Sequence, residues 1–177
     1  MFETLIAFSE IALNDGDNVL MVETGHFASL WNNMAKKLGL QVELLKTDWR
    51  QGLDPNEIEK RLRRDVDKKI KAVCIVHNET STGCISNVKA VRDILDDLNH
   101  DALLMVDTIS GLGSINYEHD EWGVDIAISG SQKGLMLPPG LSFNAISEKA
   151  INVSNKSTLK KSYWDWNEHL ELSLIHI

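Results

Sequence analysis

The chain has 177 residues, 18 Lys+Arg against 26 Asp+Glu and a formal net charge of −8, which excludes the basic surface of a nucleic-acid-coating protein. With 43% hydrophobic and 25% charged residues, only 3 Pro and 11 Gly, it has a globular composition rather than a disordered or fibrous one. No apolar run of about 18 uncharged residues occurs, and the opening MFETLIAFSE lacks a basic n-region and a small-residue cleavage site. The expectation is therefore a soluble, cytoplasmic protein without membrane or nucleic-acid partners.

Apolar positions at helical spacing over 3–13 predict a helix, and Asn14-Asp15-Gly16-Asp17 a turn before a strand at 18–22. A helix over 27–38 should end at Gly39, a strand follow at 40–45, and Asp54-Pro55 open a charged helix to about Asp67, Pro55 suiting its first turn. The apolar, β-branched run Lys71–His77 predicts a strand, 87–98 a helix, and Ala102–Val106, Asp125–Ser129 and Leu141–Ile146 further strands. Strands alternating with helices of this length imply an α/β fold, a mostly parallel sheet with helices on both faces. No repeat or linker divides the chain. The apolar ending Glu171–Ile177 has no partner in view, so the expectation is one domain over 1–170 and a tail over 171–177 of non-native origin.

Ligands of parallel α/β sheets collect beyond the carboxyl ends of the strands. Four post-strand loops carry chemistry: Glu23-Thr24-Gly25-His26-Phe27; His77-Asn78-Glu79-Thr80-Ser81-Thr82-Gly83; Asp107-Thr108-Ile109-Ser110-Gly111; and Gly130-Ser131-Gln132-Lys133-Gly134. An acid at the end of a buried strand calls for a cation, and a buried Lys that sheds its proton is an amine nucleophile. Pyridoxal phosphate uses both, with hydroxyl or amide donors for its oxygens and a flat group to stack on its ring. Lys133, Asp107, Thr80, Ser131 with Gln132, and Phe27 are the right types in the right loops. Each also has a plainer reading: Lys133 as a solvated loop lysine, Asp107 as a cap, Thr80–Gly83 as a capping turn, Phe27 as core. His77 and His26 sit in candidate loops, whereas His100, His119, His169 and His176 have surface-like neighbours, and no pair has metal-ligand spacing. Cys74 and Cys84, ten residues apart, fit neither a Cys-x-x-Cys pair nor a zinc framework and read as packing residues.

The ordered set HNETSTG (His77–Gly83), VDTISGLG (Val106–Gly113), GVD (Gly123–Asp125), SGSQKG (Ser129–Gly134) and PPG (Pro138–Gly140) resembles the class V aminotransferases. Within that class it is similar to the serine–glyoxylate and alanine–glyoxylate group, the first branch being suggested by ETGHFASLW (Glu23–Trp31) and SYWDW (Ser162–Trp166). The resemblance covers about residues 3–168. It implies the large domain of a fold-type I pyridoxal-phosphate enzyme, truncated at both ends, and a ping-pong transfer of an amino group from serine or alanine to glyoxylate.

Carried over by resemblance, Lys133 forms the internal aldimine and moves the proton, and Asp107 pairs with the pyridinium nitrogen. Phe27 stacks on the ring, Thr80 bonds near the phenolic oxygen and Gln132 reaches the phosphate. Gln132 stands where cysteine desulfurases of the class usually carry His, which disfavours desulfuration. Family members are roughly twice this length. A phosphate-holding loop before Glu3, a substrate-carboxylate Arg and second-subunit phosphate contacts beyond residue 177 are absent, so the full-length form is expected to be a homodimer. The alternative is a catalytically silent α/β domain that keeps the fold and weak cofactor binding.

Overall fold

The computed structural model describes residues 12–157 and 165–174. Six strands form one sheet: β1 (Asn18–Glu23), β2 (Gln41–Lys46), β3 (Ile70–Val76), β4 (Leu103–Asp107), β5 (Ile126–Gly130) and β6 (Ser142–Ile146). Their order across the sheet is β2-β1-β3-β4-β5-β6. The first five are parallel, and β6 pairs antiparallel with β5. Every residue of β4 is buried, as is every residue of β3 except Lys71, which is the continuous apolar pattern of strands covered on both faces.

The helices are α1 (His26–Lys37), α2 (Pro55–Arg64), α3 (Val88–Asp97), α4 (Glu148–Ser154) and α5 (Trp166–Leu174). Ala28, Trp31 and Ala35 of α1, with Ala150 of α4 and Trp166 of α5, cover the face carrying Met21, Cys74 and Met105. Ile58 and Leu62 of α2, with Val88, Val91 and Leu95 of α3, cover the other face against Leu20, Val73 and Leu104. Leu104 is fully buried in a central strand, so truncating it to Ala would cost about 2–5 kcal/mol. The chain runs from β1 outward to β2, then returns past β1 to β3 and onward. That reversal needs crossover helices on opposite faces when every crossover is right-handed.

Local signals fix the helix starts. Asp54 accepts a hydrogen bond from Asn56 N at 2.9 Å with Pro55 in the first turn of α2. Asn87 caps α3 through Ala90 N at 3.1 Å, and Ser147 caps α4 through Ala150 N at 3.1 Å. The fold follows the expected element order, with these corrections. Helix α2 ends at Arg64 rather than near Asp67, because the Asp65 carboxylate turns back to accept Lys69 N and Ile70 N. His100 is not a surface residue: it is 4% exposed, its Nδ1 accepts Ala102 N, and its Nε2 donates to Asp65 at 3.3 Å. His119 is half-buried, with Tyr117 Oη 3.0 Å from its Nδ1. The helix expected over 3–13 lies almost wholly outside the described residues, as do His176 and most of SYWDW. Helix α5 continues past residue 170 to Leu174, so it overlaps the expected 171–177 tail.

Candidate active site

The order in which strands are added reverses between the parallel neighbours β1 and β3, which makes the space beyond their carboxyl ends the topological switch point of the sheet. The β1 loop brings Phe27 there, at the start of α1, and the β3 loop brings Thr80. The β4 and β5 loops bring Asp107 with Ser110, and Gln132 with Lys133, beside them.

Contacts between the loops hold this arrangement. Thr80 Oγ1 hydrogen-bonds Ser110 Oγ, and Asn78 Nδ2 donates to Ser110 O at 3.2 Å, joining the β3 loop to the β4 loop. The β4 and β5 loops meet backbone to backbone: a Cβ on Gly134 would lie 2.2 Å from Leu112 O, so only glycine allows that approach. Ser131 is fully buried, with its hydroxyl donating to Pro138 O at 2.7 Å and accepting Leu141 N at 3.3 Å. It pins the β5–β6 connection and leaves the set of ligand donors, while Gln132 stays exposed and Lys133 half-buried beside it.

Asp107 is the electrostatic centre of this end of the sheet. It is 5% exposed, and among the described residues its only side-chain hydrogen bond is from Ile109 N to Oδ1, at 2.8 Å. Burial pushes its carboxyl up to about 6; the Ile109 amide and the Lys133 charge oppose that rise, and the Glu79 charge adds to it. The capping reading of Asp107 is thus partly correct, since it makes a local Asx-type turn, yet its other carboxylate oxygen has no donor among the described residues. A cationic ring N–H fits that deficit, so Asp107, with Lys133 near enough to act on its charge, suits the base and amine ends of a pyridoxal ring. Phe27 is half-buried and Thr80 exposed, which leaves both open to a ligand.

The structure also sorts the remaining candidates. His77 is 2% exposed and packs against Tyr117 and Trp122, with ring centroids at 5.5 and 5.6 Å. Burial lowers its pKa, and its side chain shares a face with Val73 and Ile75 rather than with Asp107. Cys74 is buried, its thiol pushed up by burial, and Cys84 is a free, half-buried thiol. No group of three metal-ligating side chains occurs among the described residues. Nor, among them, is any helix long and apolar enough to cross a membrane. Two residues that sequence reasoning left without roles stand out, Glu79 and Ser110. The sequence marks Glu79 only as an acid among hydroxyls after a mostly apolar strand; its partner, the uncapped start of α1 at Gly25, becomes visible only in the fold.

The sequence model for aminotransferase class V matches residues 3–160. The serine–glyoxylate aminotransferase of Methylorubrum extorquens is 46% identical over 158 residues, covering 86% of this chain and 39% of the relative. The L-aspartate–glyoxylate aminotransferase of Paracoccus denitrificans is 42% identical over 153 residues, covering 86% and 39%. In three dimensions, the alanine–glyoxylate aminotransferase of Nostoc sp. superposes with a TM-score of 0.85 at 30% identity, over 94% of this chain and 43% of that one. The chain thus spans about two fifths of the length of the curated relatives it matches. The described sheet, with helices on both faces, has the fold of these aminotransferases, and the chain belongs to the class V aminotransferase family.

Proposed function

We propose that this chain carries the cofactor-binding centre of a pyridoxal-phosphate-dependent aminotransferase that moves an amino group from serine or alanine to glyoxylate. The observation that carries this reading is a buried, under-bonded Asp107 at the carboxyl end of the sheet, close enough to Lys133 to feel its charge. Glyoxylate recurs in the names of the relatives while the amino donor varies among serine, aspartate and alanine, so the acceptor is the better supported half. In the full-length enzyme we infer a homodimer.

When bound, the cofactor supplies an aldehyde that takes up the amino group and a ring that spreads the charge left by the departing α-proton. Lys133 Nζ would hold the aldehyde carbon and then take the α-proton and return it across the cofactor. Asp107, ionised once its deficit is filled by a ring N–H, would keep that nitrogen protonated. Phe27 would give the ring an apolar face, the Thr80 hydroxyl would donate to the phenolic oxygen, and the Gln132 amide would contact the phosphate.

Incubating the protein with pyridoxal phosphate, reducing with borohydride and mapping peptides tests the assignment. Label on Lys133, with serine- or alanine-dependent consumption of glyoxylate by the full-length protein, is the expected result. Label on a different lysine, or bound cofactor that cannot be fixed at all, overturns it.

A further inference from the structure

We propose that Glu79 is a positioning residue: it locks the amino end of α1 onto the β3 loop and so sets the Phe27 ring relative to the Thr80 hydroxyl. The proposal deepens the cofactor reading of the switch point and rests on it.

A helix start leaves its first amides without intrahelical partners, and α1 has no cap of its own because its N-cap residue is Gly25. The β3 loop supplies the partners from more than fifty positions away. Glu79 accepts Phe27 N at 3.3 Å on Oε1 and Ala28 N at 3.0 Å on Oε2, while Ser81 Oγ accepts His26 N at 2.9 Å. Ser81 in turn donates to Glu79 Oε1 from its own N at 3.1 Å and its Oγ at 2.8 Å. Glu79 is 0% exposed, and a Cβ on Gly25 would fall 2.4 Å from its Cγ. The missing side chain at residue 25 is the space that Glu79 fills.

A fully buried carboxylate survives there because both its oxygens accept hydrogen bonds and because a helix amino end favours negative charge. Its position in the chain gives the lock its consequence. Glu79 precedes Thr80 directly, its bonds reach Phe27, and Thr80 is itself bonded to Ser110, three residues beyond Asp107. One side chain therefore ties together the groups that would face the ring, its phenolic oxygen and its nitrogen.

The test compares Glu79→Gln and Ser81→Ala with the parent chain by two readouts: amide hydrogen exchange at His26, Phe27 and Ala28, and titration with pyridoxal phosphate followed by circular dichroism in the cofactor's own absorption band. A Gln side chain must turn an N–H toward one of the donors, so Glu79→Gln should speed exchange at Phe27 and Ala28 about tenfold or more and weaken cofactor binding about tenfold, with an altered cofactor band. Ser81→Ala should speed exchange mainly at His26, by a smaller factor, and it stands in for Glu79→Gln if that variant does not fold. Unchanged exchange at all three amides overturns the lock. Faster exchange with cofactor affinity and band unchanged overturns the positioning role and leaves Glu79 a helix cap. A parent chain that takes up no cofactor instead overturns the reading of the switch point, an outcome the exchange data distinguish from failure of the lock.

Discussion

The acids at the amino end of the sheet and Asp107 at its carboxyl end are treated in opposite ways, and Glu79 beside Asp107 is saturated like the former. At the amino end, Asp125, 4% exposed, accepts Leu104 N at 2.9 Å and Ser147 Oγ at 3.0 Å, with Lys149 and Arg92 each 3.5 Å away. Asp65 there accepts two backbone amides and the His100 ring. At the carboxyl end, Asp107 has a single amide and a like charge, Glu79, acting on it. A buried carboxylate is costly unless its lone pairs are filled. Acids that hold the fold together are saturated by it, whereas the under-bonded one carries a cost that a bound ligand can relieve.

The sharpest way to break this comparison is at the carboxyl end. Lys133→Arg keeps a positive charge near Asp107 but removes the primary amine, so borohydride-fixed cofactor should vanish entirely from peptide maps; label retained at another lysine would show that the chemistry lies elsewhere. Next in size is Asp125→Ala, which leaves the buried Leu104 N and the Ser147 hydroxyl without their acceptor and takes from Arg92 and Lys149 one of their two partners. It should cost about 3–5 kcal/mol in urea unfolding, while cofactor labelling at Lys133 in the folded fraction stays at its normal yield. A loss below about 1 kcal/mol would mean that saturation at this end contributes little.

Asp107→Asn should move stability the other way. With its carboxyl raised from 3.8 to about 6 by burial, the folded chain binds the proton more tightly than the unfolded chain. The stability this gives is present below pH 3.8 and lost as the pH rises through 6, by about 3 kcal/mol. Asn carries no such loss, so the variant without cofactor should be more stable than the parent at pH 8 and equal to it near pH 3. Its cofactor affinity should nevertheless fall tenfold or more. A variant that is destabilised at pH 8 would show Asp107 to be a structural acid like Asp125.

Strands and their order along the chain are legible because runs such as Val19–Val22 and Leu103–Val106 are apolar without interruption, and only a doubly covered parallel sheet accommodates them. The candidate site was legible as a set of post-strand loops for the same reason. Pairings made across the fold were not. The cap of α1 comes from Glu79, which no local pattern around Gly25 reveals, and Asp125 reads only as the first residue of a strand until Arg92 and Lys149 arrive from two helices. His100 looked exposed because Asn99 and Asp101 flank it, yet its ring turns inward to Asp65. The antiparallel return of β6 was equally silent, since an edge strand with four exposed residues carries no burial pattern to read.

The smallest effect tests the saturated end most finely. Burial acts to raise the Asp65 carboxyl, but the Ile70 and Lys69 amides at 2.7 and 3.0 Å and the His100 ring together hold it below 3.8. The folded chain therefore favours the ionised form, and the stability this confers is present above pH 3.8 and disappears as the pH falls through the lowered value. Asp65→Asn keeps one carbonyl acceptor but turns an N–H toward one of the amides, so it should cost about 1–2 kcal/mol at pH 7. The gap should narrow as the pH falls, because the protonated parent then resembles the amide. Urea midpoints at pH 7 and pH 2 give the comparison directly. A gap that does not depend on pH would show that Asp65 acts through shape alone. If Asp65→Asn also altered labelling at Lys133, the two ends of the sheet would be coupled, and the division of labour drawn between them would fail.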